Sequence, residues 1–141
     1  MYELKFEDKV KVWKDLRDKL ESSNKPFDLL SQFLKDLPRS TRKTNAWDPN
    51  SVAEPWHLIE NSSFTEYEIA LLCAYTLQLT DRFSEAKVEI HISKDINKDE
   101  NMYLVYLDGS IVLGYNNEVF TGNSIPRSIV SQKVIQLPPL H

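Results

Sequence analysis

An α+β fold follows from three features of the chain. Two amphipathic helical stripes precede residue 40, a nearly all-apolar helix covers 66–79, and after Asp81 the apolar period changes from 3.6 to 2. They predict one domain over 1–141. Residues 1–80 are mainly helical, 86–121 form an antiparallel meander of three or four strands, and 122–141 read as a helix or an edge strand ending in an extended tail. A chain of 141 residues and 16.4 kDa suits a single domain. That length buries about two-thirds of the unfolded surface, so the core needs no covalent staple.

The first helix is expected over Phe6–Ser22, where Phe6, Val10, Trp13, Leu16 and Leu20 keep the three-and-four spacing of one face. Glu7–Lys11 and Asp15–Lys19 are acid-before-base pairs at i,i+4. After Ser22-Ser23-Asn24-Lys25, a second helix runs from Pro26 to Leu37 and buries Phe27, Leu30, Phe33, Leu34 and Leu37. Pro38 ends it, and the short link makes the pair an αα-hairpin. Residues 38–50 read as a loop with Asp48-Pro49-Asn50 as turn chemistry. Ser51 and Glu54 have capping-box spacing for a short helix to Glu60, with Pro55 awkward in that register.

The strongest start signal is Thr65 with Glu68, a capping box flanked by Phe64 and Ile69 at staple positions. The helix that follows is apolar nearly all round, which predicts burial between the hairpin and a sheet. In AKVEIHIS, Val88, Ile90 and Ile92 alternate with Lys87, Glu89 and His91. A polar loop leads to a second strand, Met102–Leu107. Asp108-Gly109 then reads as a two-residue type I′ turn into Ser110–Tyr115. That register sets Tyr103 opposite Gly114. It groups Tyr106 and Tyr115 with Leu104 and Leu113, and Tyr103 with Val105, Val112 and Val119. Asn116-Asn117 turns the chain into a fourth strand, Glu118–Thr121. Ile125, Ile129, Val130 and Val134 fit a helix begun at Ser124, and SIVSQKVIQL equally fits an edge strand.

Composition removes whole function classes. The chain has three glycines, all between Gly109 and Gly122, where an average composition gives about ten. Phosphate-cradling loops built on several glycines are therefore excluded from the first 108 residues. No apolar run approaches the roughly 18 residues of a bilayer span, and the acid-bearing N-terminus does not read as a secretory signal. Cys73 is the only cysteine, so neither an internal disulfide nor a cysteine metal cluster is expected, and a cytoplasmic setting is the default. The formal charge of −4 is unevenly spread: residues 1–43 carry +3 and residues 44–141 carry −7. Free nucleic acid is repelled by the acidic part, while a basic protein is attracted and steered to it.

Candidate chemistry is sparse. His57 with Glu60 or Glu66 has the residue types for acid–base work, set against a structural role in an aromatic loop. His91 shares the wet strand face with Glu89, and Cys73 sits in the most apolar helix as a buried thiol. Asp95, Asn97 and Asp99 have calcium-loop spacing. Glu100 stands where that loop needs glycine and Tyr106 where it needs an acid, which excludes a high-affinity site. Arg39, Arg42 and Lys43 make a weak anion signal. No cofactor or metal is implied.

The better lead is tyrosine among acids, the composition of an interface. A strand pair apolar on both faces must bury one on the helices and the other on the C-terminal segment or a partner. Glu89, Asp95, Asp99, Glu100, Tyr103, Asp108 and Glu118 are the expected partner-binding residues. The expected function is a small acidic non-enzymatic binding module, such as an immunity-type inhibitor of a basic nuclease toxin. Self-association as an assembly protein is the alternative, and a small enzyme around His57 a third.

Overall fold

A computed structural model describes residues 5–40, 54–115 and 118–137. Four helices precede five strands: α1 (Phe6–Ser22), α2 (Pro26–Lys35), α3 (Pro55–Ile59), α4 (Glu66–Gln78), β1 (Val88–Asp95), β2 (Glu100–Leu107), β3 (Ile111–Tyr115), β4 (Glu118–Thr121) and β5 (Ile129–Gln136). The fold is α+β, with helices first and a five-stranded antiparallel sheet after. Arg42, Lys43, the Asp48–Asn50 turn, Ser51, the Asn116-Asn117 turn and the tail lie outside the described residues.

Several helix ends have an identifiable cause. Thr65 Oγ1 accepts from the Glu68 N–H at 3.1 Å, and Glu68 returns the bond to the Thr65 N–H at 2.9 Å, completing the capping box. Pro55 is the first residue of α3, where its missing N–H costs nothing, and this resolves the awkward register. Arg39 stops α2 at Lys35 by donating from Nη1 to the carbonyls of Leu34 and Leu37. At the end of α1, Arg82 donates to Leu20 O and Ser23 O, while Glu21 accepts the N–H groups of Asp81 and Arg82. This exchange ties α1 to the turn leading into β1. Lys9, itself buried, donates from Nζ to the carbonyls of Glu60 and Asn61 just past α3.

Every residue of α4 from Ile69 to Gln78 is buried. The helix packs on β1 and β2, and α2 lies beside it on β3 and β4. The hairpin therefore does not stack wholly behind α4, because α2 reaches the sheet itself. Trp13, Leu16 and Leu20 of α1, Leu30 and Leu34 of α2, and Val88, Ile90, Ile92, Val105, Leu107 and Leu113 of the sheet share one core.

The sheet order is β4-β3-β2-β1-β5. The C-terminal segment is an edge strand, so the helical alternative at Ser124 is removed; only a 3₁₀ turn, Gly122–Ser124, precedes it. Thr121 pairs with Ile111 at one end of the sheet and Ile129 pairs with Asp95 at the other, on the far edge. The link from β4 to β5 thus runs between opposite corners. Across a flat sheet that path is about 30 Å, more than eight residue steps containing a 3₁₀ turn supply, so the sheet is coiled. Register shifts at Ile92/Ser93 and Leu113/Tyr115 help it bend.

The β2–β3 register differs by one residue from expectation. Leu107 pairs with Ile111, so Asp108, Gly109 and Ser110 form a three-residue loop. The Ser110 N–H closes the turn on Leu107 O, and Ser110 O accepts from the Gly122 N–H, holding Ser110 out of the ladder. A one-residue slip exchanges faces. Leu113 joins Val105 on the helix side and Val112 joins Tyr106 on the other. Gly114, at φ +102°, absorbs the bulge, and a Cβ there would meet Tyr103 O at 2.9 Å. Gly114→Ala is therefore expected to cost about 1–3 kcal/mol in denaturant unfolding. An unchanged midpoint would mean the bulge relaxes without strain.

Candidate functional site

Strand register sorts the sheet's side chains into two faces. Val88, Ile90, Ile92, Tyr103, Val105, Leu107, Ile111, Leu113 and Val119 face the helices. The opposite face, which we call helix-free because no helix of the described residues packs on it, carries Glu89, His91, Met102, Leu104, Tyr106, Val112, Tyr115, Phe120 and Val134. Leu104 and Val112 are fully buried yet lie outside the helical core. They form a second apolar centre on the inside of the coiled sheet.

Around that centre, the His91 and Tyr106 rings stack at 3.8 Å, and Tyr115 meets Phe120 edge-on at 5.2 Å. Burial raises the Tyr106 phenol above its ordinary pKa, so it stays a neutral hydrogen-bond donor through the physiological range. Val134 is 46% exposed at the β5 end of the face, and Val130 is 43% exposed along the same edge strand. Glu89, near the start of β1 at one end of the face, has Oε2 3.5 Å from Lys87 Nζ and Oε1 3.6 Å from His91 Nε2. From Glu89 to Glu100, no strand position on this face is lysine or arginine; Lys94 and Lys133 belong to the helix side by register.

The seven residues expected to bind a partner do not fall in one patch. Glu89, Asp95 and Glu100 share the helix-free face, and Glu118 occupies the ladder position opposite Tyr115. Asp95 is buried, its Oδ1 accepting from the N–H groups of Asn97 and Lys98, so it builds the β1–β2 turn. Asp99, at φ 55°, is held 2.7 Å from Lys94, which keeps its carboxyl below the usual carboxylate range. Asp108 marks the other hairpin tip, accepting the Lys87 N–H at Oδ1 and donating its own N–H to Lys87 O. Tyr103 points to the helices, its ring 5.5 Å from that of Tyr67. Tyr106, Tyr115, Phe120 and His91 are the aromatic residues that the helix-free face presents.

The other candidates resolve as follows. His57 and Glu60 are exposed on and just after α3, and Glu66 is engaged by Arg39 Nε at 3.0 Å. A crevice of about 40 Å³ between α2, α4 and the sheet is lined by Arg39, Glu66, Cys73, Tyr103 and Gly114. It has room for a few waters and not for a substrate. Burial pushes the Cys73 thiol up to about 12, so it carries almost no thiolate at pH 8. Native protein is expected to resist iodoacetamide at pH 8 and to react once unfolded in urea; rapid native labelling would place the thiol in solvent. No helix among the described residues is long and apolar enough to cross a membrane. Among the same residues, no group of three or more His, Cys, Asp or Glu is placed to hold a metal ion. Comparison with protein-family models, curated proteins and solved structures finds no match for the chain.

Proposed function

We propose that this protein is a small non-enzymatic binding module that docks a basic protein on the helix-free face of its sheet. The observation that carries the reading is the composition of that face. Acids stand at Glu89 and Glu100 with no strand lysine or arginine between them, around an aromatic centre of His91, Tyr106, Tyr115 and Phe120. Tyrosine at the middle of a patch supplies contact area at low entropic cost, and the carboxylates beside it steer an oppositely charged partner. The finer reading is a cytoplasmic inhibitor of the immunity type. Its carboxylates take the place of phosphates in the cationic site of a nuclease toxin and block it sterically.

Capture from the source lysate at low and high salt tests this, followed by assay of the captured protein. The expected result is one basic protein, held at low salt and released at high salt, whose nuclease activity falls when this chain is added. No retained protein, or an acidic one held regardless of salt, overturns the proposal. Self-association is the second reading, favoured by exposed Val130 and Val134 on the free edge of β5. It predicts a concentration-dependent sedimentation coefficient without any partner.

A further inference from the structure

The carboxylate of Glu89 is largely buried, only 17% exposed, yet it accepts no hydrogen bond from the described residues. Its neighbours stop short: Lys87 Nζ is 3.5 Å from one oxygen and His91 Nε2 is 3.6 Å from the other. Both separations exceed an ordinary hydrogen bond. His91 Nδ1 is engaged with Ser131 Oγ at 2.7 Å, and its Nε2 is shut off from solvent with no hydrogen-bond partner. The Ser131 hydroxyl can donate to or accept from Nδ1, and in neither tautomer does Nε2 come within hydrogen-bond distance of the Glu89 carboxylate. Buried polar groups are almost always satisfied, so an unpartnered Nε2 beside a carboxylate held only by loose ion pairs marks a polar site that the described residues leave incompletely filled. Across the ladder from Glu89 is Tyr106, whose ring stacks on His91.

We propose that Glu89 seats a single arginine side chain of the basic partner, the guanidinium forking onto the carboxylate beside the His91–Tyr106 stack and displacing Lys87. This rests on the reading of the helix-free face as the docking surface. Guanidinium is the chemistry that fits. It brings five N–H donors in a plane, no acceptor, and a flat face that lies against aromatic rings. An ammonium is already beside the carboxylate, and Lys87, half exposed, does not close the gap.

The test is an amide NMR titration of the full chain with acetyl-Gly-Arg-Gly-amide, and separately with its lysine counterpart. Saturable shifts are expected at Glu89, His91, Tyr106 and Ser131, with the arginine peptide at least about fivefold tighter. E89Q, checked for a native spectrum, is expected to abolish them. K87A removes the internal competitor and is expected to tighten binding severalfold, whereas K98A, at the far hairpin, leaves it unchanged. Equal affinity for the two peptides, or an E89Q protein that titrates like the parent, overturns the seat. The two proposals fail separately. A captured basic partner indifferent to E89Q removes the seat and leaves the docking face. A successful arginine titration with no captured partner removes the partner reading alone.

Discussion

Trp13→Ala is expected to destabilise the fold by about 3–5 kcal/mol, a large part of the 5–15 kcal/mol typical of a domain. Trp13 has no solvent exposure. Its Nε1 donates to Thr76 Oγ1 at 2.9 Å, and that hydroxyl donates in turn to Leu72 O at 2.6 Å. The ring meets Trp56 edge-on at 5.6 Å and carries the Arg17 guanidinium 4.9 Å from its centroid. One side chain thus joins α1 to α3 and to the last turn of α4. Truncation opens a cavity at that junction and leaves the Thr76 oxygen without its donor. Trp13→Phe keeps an aromatic ring at the junction but gives up the N–H together with part of the indole's volume, for an intermediate loss of about 1–3 kcal/mol. Urea unfolding measures both, read from the midpoint at constant slope. A loss below about 1 kcal/mol for the alanine variant would show that α1 is not anchored on α4.

Local chemistry was legible in the sequence, and choices made between distant segments were not. The Thr65–Glu68 box, the Pro26 start and the alternation of Val88, Ile90 and Ile92 depend on residues within one turn or one strand, and each appears where the pattern puts it. Register was different. Asp-Gly signals a two-residue turn, but Ser110 is drawn into the loop by Gly122, which no short-range pattern contains. That single slip exchanged Val112 and Leu113 between faces. The apolar residues of 125–134 fit both periods until β1 offers its free edge to pair with them. The acidic positions Glu89 and Glu100 could be named from composition. Only the strand register shows that they share a face with Tyr106 rather than Tyr103, and that Asp95 is spent on its own turn.

Reversing charge at both ends of the helix-free face, Glu89→Lys with Glu100→Lys, is expected to weaken binding of the basic partner by about 100-fold at low salt. Glu89 pairs with Tyr106, and Glu100 lies six residues back along the same strand, which sets the two positions about 20 Å apart. That exceeds twice the roughly 8 Å screening length at physiological ionic strength, so the single effects should add, about tenfold each. The two positions also differ in kind. Glu89 is mostly enclosed, and its change should raise the dissociation rate. Glu100 is exposed at the rim, and its change should lower the association rate and flatten the salt dependence. The control is Glu7→Lys with Asp15→Lys, which alters net charge equally on the exposed side of α1. If net charge alone governs association, both double variants weaken binding alike. If the partner docks on the sheet, the α1 pair stays within about twofold of the parent protein. Equal losses in the two variants would remove the sheet face from the interface.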